Sequence, residues 1–271
     1  MAANATRNYL ITGGGRGIGR GLSRLLLQSG HRVLILDNNT EELDHYASQL
    51  SQQHVRGKDF EAVHCNLRRH DDMKSAVDRA RTLFDGHLDV LVNNAADTSA
   101  VGAANAGNMT LEQWNASLET NLTAPLFLSQ YCLPLLQKSG SRPQGGSIIH
   151  MSSTRAIMSE PDNEAYSATK AGLLGLTQSM AVSLAPQNVR VNAILPGWIN
   201  VANECKAADD KGQTWEEGMS KEDHAWHLTG RVGKVEDIFK AVQYVAESDF
   251  TSGTEMMVDG GVTRKMIYPE E

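Results

Sequence analysis

The sequence predicts a doubly wound α/β fold: one seven-stranded parallel sheet with helices on both faces. Short apolar runs alternate with helical stretches along nearly the whole chain, the order that builds βαβ units. Several runs are apolar without a break, as strands covered on both faces are. A glycine-rich turn joins the first strand to the first helix, as in sheets that bind a ligand at their strand ends. At 271 residues, one large domain spanning 1–271 is expected.

Taken in order, Tyr9–Thr12 is the first strand, and the glycine turn opens a helix over 17–29. Arg32–Leu36 and Phe60–Cys65 are the next strands, separated by helical periodicity over 40–53. A helix over 70–85 leads to the strand Leu88–Asn93. Thr110-Leu111-Glu112-Gln113 has capping-box spacing and starts a long helix over 110–138, which Pro125 and Pro134 should kink. After the Gly/Ser/Pro loop Ser139–Gly146 come the strand Ser147–Met151, a helix over 163–185 and the strand Val189–Leu195. A shorter helix over 235–247 precedes the last strand, Glu255–Val258. The stretch of about 200–231 breaks the rhythm: it is charged and carries Trp215 and Trp226. A structureless loop of that length is unusual in a compact domain, so short helices are expected there, in a cover over a substrate site.

Composition removes several function classes. Apolar residues at 41% and charged residues at 21% are ordinary for a globular protein and exclude a largely disordered chain. The net charge of −7, without a basic run, argues against a nucleic-acid or anionic-membrane surface. No uncharged apolar run reaches the length of a membrane span, and no signal-peptide pattern precedes the first strand. Cys65, Cys132 and Cys205 fit neither a disulfide framework nor a zinc site, which suits a cytoplasmic protein with reduced thiols and no metal.

The chemistry concentrates at strand ends. Thr12-Gly13-Gly14-Gly15-Arg16-Gly17-Ile18-Gly19 does not fit G-x-G-x-x-G but does fit T-G-x-x-x-G-x-G. Such a turn lets backbone approach a ligand, and the helix start favours a phosphate. Asp37 closes the second strand where an acidic residue would bond the hydroxyls of an adenosine ribose. Tyr166 and Lys170 share a helix face. A lysine charge about 4 Å from the phenol, at an effective dielectric near 20, contributes roughly 4 kcal/mol and should bring the phenol toward neutral pH. Asn93 and Ser153 fall at strand ends on the same rim, and Asn121 lies within the long helix.

In this order these motifs resemble the short-chain dehydrogenase/reductase family. The set is T-G-x-x-x-G-x-G, Asp37, Asn93-Asn94-Ala95-Ala96, Asn121, Ser153, Y-x-x-x-K at Tyr166 and Lys170, Pro196-Gly197, and Val258-Asp259-Gly260-Gly261. The resemblance runs from Tyr9 to Gly261 and implies a Rossmann-type domain. It implies an NAD(P)(H)-dependent oxidoreductase interconverting an alcohol and a carbonyl, with the tetrad Asn121, Ser153, Tyr166 and Lys170. Tyr166 would be the acid or base, Lys170 would lower its pKa and bond the nicotinamide ribose, Ser153 would hold the substrate oxygen, and Asn121 would hold a relaying water. Cofactor contacts would come from Gly13, Arg16, Gly17, Ile18, Gly19, Asp37, Asn66, Asn93, Ala95, Tyr166, Lys170, Pro196, Gly197 and Ile199. Asp37 favours NAD(H) over NADP(H), because it would face the phosphate that replaces the 2′-hydroxyl; Arg16 acts in the opposite sense.

The chain departs from the family pattern at Asn66 (usually Asp), Ala96 (usually Gly) and Val201 (often Thr), and Asn200 is a substitute for the last. Asp97, Glu160 and Asn163 near the rim, with Trp198, Trp215 or Trp226 as an apolar wall, favour a small polyfunctional alcohol or ketone. The resemblance also implies a homo-oligomer, tetramer or dimer. The alternatives are a dehydratase or epimerase of the same fold and a non-catalytic dinucleotide-binding protein. His224 and His227 have near-ligand spacing without a third ligand, and His31, His45 and His54 read as solvated edge residues.

Overall fold

The computed structural model describes residues 5–138 and 144–266. Its strands are β1 (Asn8–Thr12), β2 (Arg32–Asp37), β3 (Phe60–His64), β4 (Val90–Asn93), β5 (Ser147–Met151), β6 (Arg190–Pro196) and β7 (Glu255–Val258). All pair in parallel, in the order β3-β2-β1-β4-β5-β6-β7. The chain winds outward from β1 to β3, then returns to place β4 on the other side of β1. That reversal opens a crevice beyond the carboxyl ends of β1 and β4.

The strands are apolar because both faces are covered. In β1, Tyr9 and Ile11 enter one core and Leu10 enters the other; in β2, Val33 and Ile35 oppose Leu34 and Leu36 in the same way. The first core is closed by α1 (Gly17–Gln28) and α2 (Thr40–Leu50), through Leu22, Leu26, Leu43 and Tyr46. The second is closed by α3 (His70–Leu83), with Met73 and Val77. Register is fixed at the centre, where Leu10 faces Leu34 on one side and Leu91 on the other.

The helix expected over 110–138 is divided. Thr110 and Gln113 form the capping box, and α4 (Leu111–Leu118) follows. A π-helical turn, Glu119–Thr123, then leads into α5 (Ala124–Leu136). Pro125 lacks the N–H that a regular helix would bond back to the Asn121 carbonyl, and the widened turn falls at that place. Pro134 sits in the last turn of α5 and does not end it. Next, α6 (Glu164–Leu184) packs on β6.

The segment after β6 holds the short helices the sequence called for, α7 (Lys206–Lys211) and α8 (Lys221–Ala225), before α9 (Val235–Glu247) joins α1 under the first core. Asp209 of α7 bonds Arg20, His45 and Gln49, and Glu204 pairs with Arg24. Arg20 is buried, so this is a desolvated tie of α7 to α1 and α2. His31 departs from the sequence reading: it is buried against Tyr9, with ring centroids 5.3 Å apart, and its Nδ1 accepts from Arg7 N–H, because the tight turn after α1 brings it beside the start of β1. The loop expected at 139–146 lies mostly outside the described residues.

At the far edge, the fully buried Asn192 accepts from Thr254 N–H at 3.1 Å and donates to Thr251 O at 3.0 Å, holding the approach to β7 against β6. Asn192→Leu keeps the size but leaves the Thr254 N–H unpaired and Thr251 O with Arg190 alone. It should cost about 1–3 kcal/mol, read as a lowered urea midpoint at unchanged m-value.

Candidate active site

The glycine turn owes its shape to a close approach. Thr12 Oγ1 accepts the N–H groups of Asn94 and Ala95, each at 3.0 Å, and Asn94 Nδ2 donates to the carbonyls of Thr12 and Gly13. This draws the end of β1 against the loop after β4. A Cβ on Gly13, which has φ +65°, would lie 2.8 Å from Ala95 Cα, and one on Gly19 would lie 2.2 Å from the Gly13 carbonyl. Both positions therefore require glycine. Asp37 Oδ2 accepts from Gly15 N–H at 2.8 Å and Oδ1 from Asn39 N–H at 2.9 Å, so the carboxylate is held where the turn opens.

One cavity of about 810 Å³ is lined both by this turn and by the Tyr166–Lys170 pair. Gly13, Arg16, Gly17, Ile18, Asp37 and Asn66 line it from the first half of the sheet. Ala95, Ser153, Tyr166, Lys170, Pro196 and Gly197 line it from the second. Four predicted residues are placed behind this wall. Gly19 packs under the turn. Asn93 is turned inward, with Nδ2 at 3.2 Å from both Ser129 Oγ and His150 Nδ1, and its neighbour Asn94 lines the cavity instead. Ile199 is buried in the first core. Asn121 is fully buried: Oδ1 accepts from Asp97 N–H at 2.6 Å, while Nδ2 donates to Asp97 O and Thr169 Oγ1. Both its amide functions are spent tying the loop after β4 to α6.

Tyr166 lies in the first turn of α6 and Lys170 one turn further on. The Lys170 ammonium is buried, donates to Met151 O at 2.7 Å and stands 5.3 Å from the Tyr166 ring centroid. Burial lowers its pKa to about 8. Burial also pushes the Tyr166 phenol above its ordinary value, opposed by a hydrogen bond with Ser153 and by the Arg155 charge. The sequence reading gave that opposing role to Lys170. Lys170 is turned to the Met151 carbonyl with its ammonium 5.3 Å from the ring centroid, and Arg155, with Cζ at 5.9 Å, is a second cation beside the phenol that the sequence reading did not name. Ser153 Oγ in turn accepts from Arg155 N–H at 3.1 Å. Behind Lys170, burial and the lysine charge lower His150 to about 3, so it is neutral at working pH.

Arg68, Asp97 and Arg155 also line the cavity. Sequence reasoning did not assign Arg68 or Arg155 to the site. The available signal was position: each follows a strand end on the rim where the motifs gather. From the stretch 200–231, Val201 lines the cavity and Trp215 and Trp226 do not, nor does Trp198 just before it. Asn200 is spent within its own loop, donating to Trp215 O at 2.7 Å and accepting from Ala202 N–H. His224 and His227 bond backbone at Val232 and Asp223, and no cluster of three metal-binding side chains occurs among the described residues.

The turn fits a dinucleotide: Cβ atoms would fill the turn at Gly13 and Gly19, a fixed carboxylate stands beside it, and α1 starts there. A family model described as enoyl-(acyl carrier protein) reductase matches residues 13–263. The chain is 37% identical to an uncharacterized oxidoreductase of Thermotoga maritima, over 96% of this chain and 97% of that one. It is 34% identical to a probable galactose dehydrogenase of Rhizobium meliloti, over 94% of each. A solved short-chain dehydrogenase/reductase from Brucella melitensis, described as a glucose/ribitol dehydrogenase, superposes with a TM-score of 0.78 at 25% identity, covering 94% of this chain and 96% of that one. The chain belongs to the short-chain dehydrogenase/reductase family. As a member, it is an oxidoreductase that moves a hydride between a nicotinamide cofactor and an alcohol or carbonyl. No helix among the described residues is long and apolar enough to cross a membrane.

The buried lysine carries a pH signature. Its folded pKa lies below the unfolded value of 10.5, so stability is lost as pH falls through the folded value and regained as pH rises to the unfolded one. In the cofactor-free protein, wild-type stability relative to Lys170→Met should rise by about 3 kcal/mol between pH 8 and 10.5 and stay level from pH 6 to 7. Urea titrations at each pH measure it.

Proposed function

We propose that Asn121, Ser153, Tyr166 and Lys170 are the working group of an NAD(H)-preferring dehydrogenase/reductase for a small polyfunctional alcohol or ketone. The observation that carries this reading is the single cavity shared by the Asp37-held glycine turn and the Tyr166 hydroxyl. The bound nicotinamide would supply or accept the hydride. Tyr166 gives its proton to the carbonyl oxygen in reduction and takes one from the alcohol in oxidation. Ser153, already bonded to Tyr166, bonds the same oxygen. Lys170 holds the Met151 carbonyl and presents a buried positive charge near the phenol. Asn121 would hold the water that relays protons, while its side chain locks Asp97 to Thr169. Galactose and glucose/ribitol, named for relatives, are small polyhydroxylated molecules, which suits a polar cavity. Family resemblance adds a tetramer or dimer, and the three unpaired cysteines suit the cytoplasm.

Tyr166→Phe keeps the ring and removes the proton. Turnover should fall roughly 10²–10⁴-fold while NADH binding, followed by fluorescence titration, is retained. A variant keeping half the wild-type rate would remove Tyr166 from the chemistry.

Asp37 and Arg16 both line the cavity and pull cofactor choice in opposite directions. Backbone amides fix the Asp37 carboxylate, and each like-charge pair with a 2′-phosphate at about 4 Å costs roughly 1–4 kcal/mol. NADH should be favoured over NADPH by about tenfold or more in kcat/KM. Asp37→Asn, which removes the charge and keeps an oxygen for one of those two amides, should narrow the ratio. A preference for NADPH would put Arg16 in control.

A further inference from the structure

The proposed reading leaves open which polyfunctional substrate the cavity takes, and Arg155 bears on that. Arg155 lines the cavity, its guanidinium carbon stands 5.9 Å from the Tyr166 ring centroid, and its backbone N–H donates to Ser153 Oγ. Its charge is therefore built into the same short segment that presents the Ser153 hydroxyl. The other ionised groups lining the cavity are already engaged or stand elsewhere. Asp37 is held by backbone amides at the glycine turn, Asp97 pairs with Arg68, and Lys170 donates to Met151. Arg16 belongs to the glycine turn.

The ion partner of Arg155 is Glu160, which is not among the lining residues and is more exposed, 54% against 36% for the side chains. Asn163 Nδ2 also donates to Glu160, so the carboxylate keeps a partner if the arginine leaves it. Exposed pairs of this kind are worth about 0–1 kcal/mol. A guanidinium has a planar fork of donors suited to a carboxylate, so a substrate carboxylate can take the place of Glu160 at little cost.

We propose that Arg155 selects substrates carrying a carboxylate close to the reacting carbon, so that the enzyme interconverts 2- or 3-oxo acids and the matching hydroxy acids. This rests on the proposed roles of Ser153 and Tyr166 at the same cavity. In reduction the ketone carbon gains the hydride from the reduced nicotinamide, the C=O π pair moves onto oxygen, and that oxygen gains the Tyr166 proton. The product is a hydroxy acid and the oxidised cofactor, and oxidation reverses each step. The substrate carboxylate is unchanged throughout.

The test is a panel of short 2-oxo and 3-oxo acids, each beside its methyl ester, with NADH. Wild type should favour acid over ester by about tenfold or more in kcat/KM. In Arg155→Met that ratio should collapse through a rise of about ten- to a hundredfold in the KM of the acid, and Arg155→Lys should retain part of it. Glu160→Gln should lower the KM of the acid. Taking the acid-to-ester ratio cancels any effect of Arg155 on Tyr166 itself. Esters used as well as acids, or a ratio unchanged in Arg155→Met, would overturn the proposal while leaving the hydride-transfer reading intact. A second arm needs no turnover: the enzyme–NADH complex is titrated calorimetrically with each hydroxy acid and its amide. Binding of the acid alone, lost in Arg155→Met, supports the proposal even if no ketone is reduced, a result that would count against the proposed catalytic roles instead. Equal binding of acid and amide, or no binding of either, overturns it.

Discussion

The contact of Gly13 with Ala95 is the constraint on which the site depends. Two parallel strands end side by side, and the loops leaving them must part without leaving backbone unpaired. Thr12 and Asn94 satisfy those loops with side chains, and glycine lets the chains close to 2.8 Å of a virtual Cβ. The crevice is the space left where β1 and β4 diverge. Where the two loops part, its polar lining includes backbone and amide groups, which loops this close supply when they have no strand partner, beside the charged and hydroxyl side chains of the rim.

The same rim is held by buried polar side chains rather than by apolar packing. Asn93 bonds both Ser129 and His150 at the ends of β4 and β5, and Asn121 joins the loop after β4 to α6. Buried amides stabilise little unless every function is paired, but when paired they admit few alternatives. The π turn in front of α5 belongs to this arrangement: it carries Asn121, fully buried, to both partners. The site is thus rigid where Tyr166 must meet Ser153. The segment beyond β6 is held differently, by charges such as Arg20 and Asp209 at the edge of α1 and α2.

Electrostatics inside the cavity follow burial first and charges second. Lys170 and Tyr166 are both pushed toward their neutral forms because their charged forms lose water. Arg155 and Ser153 oppose that for the phenol, so chemistry at Tyr166 draws on neighbours from the loop after β5 as well as on its own helix.

The sequence by itself determined the order of strands and helices, the parallel sheet, the glycine turn with Asp37, and the Tyr166–Lys170 helix face. These are local: unbroken apolar runs, a spacing of four along a helix, and turn chemistry are written in neighbouring residues. Tertiary structure decided what depends on direction and distance. Asn93 and Asn94 are adjacent in sequence, yet successive side chains point opposite ways, so one enters the core and the other the cavity. The long helix divides at a π turn because Pro125 frees a carbonyl just where Asn121 is needed. Arg155 lies eleven residues before Tyr166 in the chain, and only the tertiary structure brings its charge to 5.9 Å from the ring, beside that of Lys170 at 5.3 Å, since the interaction falls with separation through space and not along the chain.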